Sequence, residues 1–308
     1  MSSSRDVGLF VLLSFLWGTA FVAISAGLEH LPPVLFASLR YDVAGVLLLI
    51  YAAVGTNQWL PRSRADWIAV TVGALLVIAA YNALLFIGQQ GVTSGVAAIL
   101  IATSPILTTG FSRLLIPGHR LSFVGGFGLL FGFVGVVLVA VPDPSTVAVD
   151  DLFAPGFVFF AAVSVALGSV LLQRVEEDID IEGEVAWSFI FGAIGMHILS
   201  GLLPTESVGD ATLSVDALVA VVYLSVFASV IGYVIYFRLL ARVGAVEINL
   251  VSYAAPVFAA VFGWFLLGET LEPLAVVGFG VIATGFVLLK REEIADRSAT
   301  LGRLLLVS

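Results

Sequence analysis

Two charged residues, Arg40 and Asp42, lie inside an otherwise apolar stretch that follows Pro33. Each would cost about 2.5–3.5 kcal/mol at the centre of a membrane-spanning helix, so each is expected to face the protein interior and to have a partner or water. Their spacing puts them about 200° apart around a helix, so they do not simply pair with each other. Arg40 is suited to receive an anionic substrate group, and Asp42 to bind a cation or a coupling proton. The alternative is a buried charge network that fixes helix packing.

Polar residues on later apolar segments are candidate neighbours of this charged pair. Tyr81 and Asn82 lie at a similar distance from the end of their own segment, and Gln89 lies where that segment ends. Glu247 lies just inside a later segment, and its direction favours a gate or a rim contact over the central site. His197 is a lone histidine, which predicts a packed and hydrogen-bonded side chain.

Two prolines interrupt long apolar segments at corresponding depths. Pro105 and Pro256 each lie about eleven residues into a segment, which puts both near the membrane midplane. A proline inside a helix frees the carbonyl four residues earlier, here those of Ile101 and Ser252. Unsatisfied backbone is tolerated at this depth only in a protein interior or a watery cavity. Corresponding interruptions are typical of transporter binding sites, and the alternative is that the prolines only kink helices for packing.

Polar side chains share one helix face with these prolines, and they are predicted to line one cavity. The clearest stripe, spaced i, i+3, i+4 and i+7, consists of Asn249, Ser252, Tyr253 and Pro256. A weaker stripe surrounds Pro105. A third stripe on another segment consists of Ser225, Ser229, Gly232 and Tyr236. Close helix packing is the competing explanation for the serines and glycines, as it is for the GxxxG motif from Gly128 to Gly132.

The composition assigns these segments to an integral membrane protein. Of the 308 residues, 60% are apolar and 11% are charged, whereas soluble domains carry about 25% charged residues. The absence of cysteine excludes disulfides and thiolate metal sites, and three scattered histidines predict neither a metal site nor a cofactor. A net charge of −9 argues against a nucleic acid partner. The acidic run from Glu176 to Glu184 is interpreted as a solvated loop rather than a metal site.

A transmembrane helix needs about 20 predominantly apolar residues. On this rule the sequence predicts ten spans, at about 7–27, 33–54, 66–88, 94–116, 121–141, 152–173, 185–203, 215–240, 245–267 and 272–290. Of the 13 cations, all except Arg40 lie on the same side of this arrangement, in its loops or at the ends of its spans. The positive-inside rule therefore predicts a multi-pass protein of the plasma membrane with both termini in the cytoplasm. The first apolar run is long for a signal peptide, so its cleavage is not expected.

The chain also contains an internal repeat. A shift of 151 residues brings Pro256 onto Pro105, and one extra loop residue then brings Gly278 onto Gly128 and Gly285 onto Gly135. This predicts two halves, 1–146 and 147–308. Five spans per half is an odd number, so the second half must enter the membrane upside down. The predicted fold is an all-α integral membrane protein of two inverted five-helix repeats, an arrangement that recurs in secondary transporters.

The order and spacing of several motifs resemble the EamA type of the drug/metabolite transporter superfamily. In the first half the matching residues are Trp17, Gly18, Pro33 and Arg40. The second half has SVIGYVIYFRLLARVGA, then the proline-centred span, then LGET and a glycine-rich last span. The resemblance covers essentially the whole chain. It implies a ten-span bundle of two inverted repeats that moves small metabolites, often exporting amino acids, and it adds Trp17 to the candidate site.

Two positions depart from the family pattern. The family's acidic residue after span 4 aligns with His119, whereas the corresponding acid after span 9 is present as Glu269. This weakens any role for that acid in the first half. Asp42 lies where the family usually has an apolar residue, so it is a candidate feature of this protein's own substrate or ion.

The sequence therefore predicts a secondary transporter, an exporter or exchanger, of small metabolites such as amino acids, with a midplane cavity between the two prolines. The predicted substrate-binding residues are Trp17, Arg40, Asp42, Tyr81, Asn82, Pro105, Tyr236, Asn249, Ser252, Tyr253 and Pro256. Proton coupling through Asp42 or Glu247 is a hypothesis. The expected partners are a small-molecule substrate and the lipid bilayer, and both a monomer and a homodimer stay open.

Two other functions stay open at this stage. One is an integral membrane enzyme that acts on lipid-like substrates, although the chain has no DDxxD pair, GxSG nucleophile or HExxH motif. The other is a channel, which predicts ohmic currents rather than saturable exchange.

Overall fold

The chain folds into long helices joined by short loops. The computed structural model describes residues 4–116, 123–140, 149–244 and 248–306, and it contains no strand in these ranges. The helices are α1 (Ser4–Leu28), α2 (Pro33–Gly55), α3 (Arg64–Gln89), α4 (Ser94–Leu115), α5 (Phe123–Ala140), α6 (Phe153–Leu172), α7 (Ile181–Leu202), α8 (Val215–Val243), α9 (Val251–Leu267) and α10 (Pro273–Leu306). The predictions for His119 and Glu247 fall outside the described residues.

The helices are those of a multi-pass membrane protein. Seven of them, α1 to α4 and α6 to α8, are long and apolar enough to cross a membrane. Residues Val124–Ala140, α9 and the first part of α10, Pro273–Leu289, are shorter apolar helices. Each predicted span overlaps one helix, and the all-helical membrane fold is confirmed. Large apolar side chains such as Val54, Leu114 and Phe265 remain exposed on the bundle surface, as expected of a surface in contact with lipid.

Local sequence explains where several helices begin and end. Pro33 is the first residue of α2, a position where its missing N–H costs nothing. Ser63 and Asp66 form a reciprocal capping box at the start of α3. The α8 and α9 helices end at Gly244 and Gly268, whose φ angles of 88° and 67° are in the region that favours glycine.

Helices α5 and α10 meet along four glycines, Gly128, Gly135, Gly278 and Gly285, here called the glycine seam. A Cβ added to Gly128 would lie 2.7 Å from the carbonyl oxygen of Gly285, and one added to Gly135 would lie 2.8 Å from that of Gly278. The backbones approach too closely for any larger side chain. The contacts are crossed with respect to the sequence repeat. Gly128, which the repeat matches with Gly278, contacts Gly285, and Gly135, which it matches with Gly285, contacts Gly278.

Two π-helical segments, Gly73–Ala80 in α3 and Tyr223–Ile231 in α8, lie at corresponding positions of the two halves. In each segment a side chain from a neighbouring helix donates a hydrogen bond to a backbone carbonyl. Ser164 donates to Leu76 over 2.8 Å, and the indole of Trp17 donates to Ala228 over 3.1 Å. Segments of this kind occur frequently at functional sites, and nothing in the sequence pattern indicated them.

The two ends of the bundle differ in their polar contacts. At the end where α1 begins, called the proximal end, Arg242 pairs with Asp6 at 3.1 Å. The Asp66 carboxylate there accepts the backbone N–H groups of Asp178 and Ile179. The acids Glu176 to Asp178 are exposed, as the interpretation of a solvated loop predicted. Ile179 is buried, however, and the acidic run continues into α7, which begins at Ile181. The opposite, distal end carries Glu206 and Glu269.

Candidate substrate cavity

A cavity of about 210 Å³ lies between α1, α2, α3, α4, α6, α8 and α9. Four residues of the predicted site line it, namely Trp17, Arg40, Tyr81 and Ser252. The sequence analysis did not assign three further polar lining residues to the site, namely Tyr41, Ser104 and Tyr233. The rest of the wall is apolar, and helices of both halves contribute to it.

Arg40 is the cationic group of this cavity, and only 8% of its surface is exposed. Its Nε donates to Ser229 over 3.0 Å, and its guanidinium carbon lies 4.8 Å from the ring centroid of Tyr41. The Ser225 hydroxyl donates to the carbonyl of Arg40 over 3.0 Å. No carboxylate pairs with Arg40 among the described residues. The two Nη groups are therefore the atoms that a ligand can use.

Aromatic rings surround the guanidinium. The Trp17 ring lies 5.9 Å from Tyr233 and 5.7 Å from Tyr236, and Tyr233 packs edge to face on Phe189 at 5.2 Å. Tyr81 completes the wall from α3. Tyr81 is the first residue after the π-helical segment of α3, and Tyr233 is the second residue after that of α8. The repeat could have indicated Tyr233, because it lies one residue beyond the position that matches Tyr81.

Pro105 interrupts α4, as the sequence predicted. The helix breaks at Ala102 and Thr103 and resumes at Ser104. The Ser104 hydroxyl donates to the freed carbonyl of Ile101 over 2.7 Å, and both residues line the cavity. The interruption thus creates a polar patch on the cavity wall, while the proline itself is buried behind it.

The proline of the second half, Pro256, does not lie beside a break in its helix as Pro105 does. Pro256 lies inside α9, which begins at Val251. The predicted start of this span near residue 245 falls outside the described residues. The turn precedes the helix at Asn249 and Leu250. Ser252, whose carbonyl Pro256 leaves without its helical partner, lines the cavity. The two interruptions therefore lie at different distances from their prolines.

The remaining predicted residues lie outside the lining. Tyr253 points about 100° away from Ser252 and packs on Phe286 at 4.7 Å, and its buried hydroxyl has no hydrogen-bond partner within the described ranges. Asn82 donates to its own helix at Ile78 over 2.8 Å, and its buried Oδ1 likewise has no partner in this part of the chain. Asn249 lies in the turn before α9. Tyr236 does not line the cavity but contacts the lining residues Trp17 and Tyr233, with ring centroids 5.7 and 6.1 Å away.

The prediction that Asp42 faces the protein interior is wrong, because Asp42 forms a separate polar group on the outer face of α2 and α7. Its carboxylate lies 2.7 Å from Nε2 of His197, and the side chains are 43% and 40% exposed. Nδ1 of His197 lies 3.2 Å from the Ser38 hydroxyl, which donates to the carbonyl of Leu35 over 2.7 Å. His197 is hydrogen-bonded as expected, but it is half exposed rather than packed.

Carboxylates of the second half cap helices of the first half at the distal end, and we call these two contacts the distal clamps. Glu206 accepts the N–H groups of Val34 and Leu35 over 2.8 and 3.2 Å. Glu269 accepts both the N–H and the hydroxyl of Ser94 over 3.0 Å. A helix N-terminus favours such an anion, so each clamp holds the start of α2 or α4.

The Ser94 clamp continues toward the cavity as a hydrogen-bonded chain. The Ser94 hydroxyl lies 3.0 Å from that of Ser25, to which the Gln89 amide donates over 2.9 Å. Gln89 also donates to the carbonyl of Phe21, a residue that lines the cavity. The distal end is therefore tied across α1, α3, α4 and the loop after α9.

Comparisons with known proteins agree with this architecture. The model of one family, described as the EamA-like transporter family, matches residues 6–141 and 152–291. A WAT1-related chloroplastic protein of Arabidopsis thaliana is 28% identical over 290 residues, which cover 92% of this chain and 69% of that protein. The uncharacterized inner membrane transporter YedA of Escherichia coli K12 is 29% identical over 283 residues, or 91% and 89% of the two chains.

Two further matches extend the comparison. The uncharacterized transporter YdfC of Bacillus subtilis is 30% identical over 277 residues, which cover 90% of this chain and 87% of that protein. A crystal structure of another protein is 22% identical, covers 94% of this chain and 98% of its own, and superposes with a TM-score of 0.63. This last likeness concerns the fold alone.

Proposed function

The chain belongs to the EamA-like transporter family, and from this premise we propose that it is a secondary transporter of small metabolites such as amino acids. It exports or exchanges them by alternating access around the cavity that holds Arg40. The observation that carries the proposal is this cavity, which lies between helices of both halves and contains a buried cation with no counter-charge among the residues that the structure describes.

The proposal includes ten spans arranged as two inverted repeats, 1–146 and 147–308, in the plasma membrane with both termini in the cytoplasm. The glycine seam supports the inversion, because matching glycines of the two halves meet crosswise. The two π-helical segments support the duplication, because they lie at corresponding positions beside the cavity. The family match, which covers two successive stretches, agrees with the proposed boundary.

Alternating access requires that one end of the bundle opens while the other closes. The distal clamps join Glu206 and Glu269 of the second half to α2 and α4 of the first half. An opening at the distal end has to break these hydrogen bonds, so they serve as the distal gate in this proposal.

Proton coupling stays a prediction. The Asp42 carboxylate lies outside the cavity and is hydrogen-bonded to His197 of α7, so coupling through Asp42 would act on the packing of α2 against α7. It would not act on the substrate directly. Neutralising Asp42 and Glu247 together and measuring the pH dependence of transport tests the hypothesis, and an unchanged dependence would reject it.

Counterflow in proteoliposomes tests the proposed function. Vesicles are loaded with a pool of unlabelled amino acids and related metabolites, and the uptake of each labelled compound is followed. Saturable, trans-stimulated uptake that falls in Arg40→Gln and persists in Arg238→Gln is expected, because Arg238 is an exposed arginine remote from the cavity. Ohmic current without trans-stimulated uptake would contradict the proposal and favour a channel.

A further inference from the structure

We propose that the cavity selects monoanionic carboxylates with an aromatic or similarly flat apolar body, in preference to the corresponding amino acids and amines. This inference rests on the proposed function, since it names the substrate class of the same cavity. It depends on the charge of the lining, the free edge of Arg40, the hydroxyls of two lining tyrosines and the apolar part of the wall.

Charge balance is the first argument. Arg40 is the one ionised side chain among the described residues that line the cavity, and it has no carboxylate partner in this part of the chain. An uncompensated charge in a closed, largely apolar space is costly. A monoanion brings the occupied cavity to neutrality, whereas a zwitterion leaves one positive charge, an amine leaves two and a dianion leaves a negative charge.

The geometry around Arg40 favours a carboxylate as that monoanion. Nε of Arg40 already donates to Ser229, and the guanidinium group lies over the ring of Tyr41. The free edge therefore presents the two Nη groups side by side, which matches the two oxygens of a carboxylate. Tyr81 and Tyr233 also line the cavity, and neither hydroxyl has a hydrogen-bond partner among the described residues, so both are available as donors to an anion.

The apolar part of the cavity wall fits a flat apolar body. Trp17, Phe21 and Ile24 contribute from α1, and Leu85 and Ala98 contribute from α3 and α4. Rings pack on aromatic side chains in stacked or edge-to-face arrangements that add to the gain from burial. A ligand with a planar ring would therefore bury its ring against α1 while its carboxylate reaches α2.

The cavity offers an ammonium group few partners. One of the two carbonyls freed by the prolines, that of Ile101, already accepts the Ser104 hydroxyl. The described lining residues include no carboxylate, so an ammonium group would have only neutral hydroxyl and carbonyl oxygens as partners. An amino acid would have to desolvate its ammonium group beside a buried arginine without a counter-charge, and a buried charge left unpaired is costly.

A matched set of three compounds tests the inference. The compounds 3-phenylpropanoate, phenylalanine and 2-phenylethylamine share a phenyl ring and a two-carbon spacer and differ only in their charged groups. Binding to the purified full-length protein is measured by titration calorimetry, and transport is measured by counterflow. We expect 3-phenylpropanoate to bind at least tenfold more tightly than phenylalanine, with no measurable binding of the amine.

Variants of the lining residues test whether Arg40 and Tyr81 cause the preference for a carboxylate. Arg40→Gln is expected to weaken the binding of 3-phenylpropanoate at least tenfold, and Arg238→Gln to leave it unchanged. If Arg40→Gln does not fold, Tyr81→Phe keeps the ring, removes one donor and is expected to weaken the carboxylate several-fold.

The outcomes separate this inference from the proposed function. If the three compounds fail to bind, or if phenylalanine or the amine binds more tightly than 3-phenylpropanoate, the inference is overturned. An amino acid or another metabolite can still show counterflow in that case. If 3-phenylpropanoate binds as expected and no compound shows counterflow, the substrate class stands and the transport proposal fails.

Discussion

Glu269 joins the second half of the chain to the start of α4, and its replacement by glutamine tests whether this distal clamp keeps the cavity closed. The carboxylate accepts two hydrogen bonds from Ser94, each 3.0 Å long. A hydrogen bond to a charged group contributes about 1.5–3 kcal/mol. Glutamine keeps one acceptor oxygen, so Glu269→Gln loses about one such bond. Glu269 is partly exposed, which puts the loss near the lower end of this range.

A loss of about 1.5–2 kcal/mol shifts an equilibrium between closed and open distal ends about 10- to 30-fold toward the open state. The chain contains no cysteine, so one introduced thiol can report on this opening. Ala98 lines the cavity, is 2% exposed and lies one turn beyond Ser94. In an Ala98→Cys background, Glu269→Gln is expected to accelerate labelling by a membrane-impermeant maleimide from the distal side about tenfold or more.

Glu272→Gln is the matched control, because Glu272 is an exposed acid in the same loop. It is expected to leave the labelling rate unchanged. If Glu269→Gln lowers the unfolding temperature but labels no faster than the parent, the clamp supports stability alone, and the reasoning about a distal gate is refuted.

Three further predictions concern packing and positioning. A Cβ at Gly285 would lie 2.6 Å from a backbone carbonyl, so Gly285→Ala should lower the free energy of unfolding by about 1–3 kcal/mol. Gly280 lies in open space on the same helix, so Gly280→Ala should not lower it. Thermal unfolding of both variants in detergent makes the comparison. Asp42→Asn should lower the unfolding temperature and leave ligand affinity unchanged, because Asp42 lies outside the cavity; weaker binding in calorimetry would contradict this placement. Ser229→Ala should weaken carboxylate binding several-fold by releasing Arg40, and an unchanged affinity would show that Nε needs no anchor.

The helices could be predicted because crossing a bilayer demands a long apolar run, which composition alone reveals. Each predicted span overlaps a helix, and the break in α4 beside Pro105 followed from the missing N–H of proline. Burial of Arg40 also followed from the cost of a charge in lipid. These inferences succeeded because each depends on one residue and its local environment.

The partners of those residues could not be predicted, because they come from distant helices. The pairing of Asp42 with His197 requires the packing of α2 on α7, and the Arg40 anchor requires that of α2 on α8. The π-helical segments leave no mark in the apolar pattern. Only part of the predicted polar stripe around Pro256 faces the cavity, because Ser252 lines it whereas Tyr253 packs against α10.

The glycine seam has a consequence for how the chain can be divided. Each half carries one complete face of it, Gly128 and Gly135 on α5 and Gly278 and Gly285 on α10. A close backbone approach of this kind supplies affinity and register together. Two polypeptides made separately, one for each half, would thus hold complementary surfaces and could reassemble in a membrane without a covalent link. The same surfaces would allow a half from one molecule to exchange with that of another.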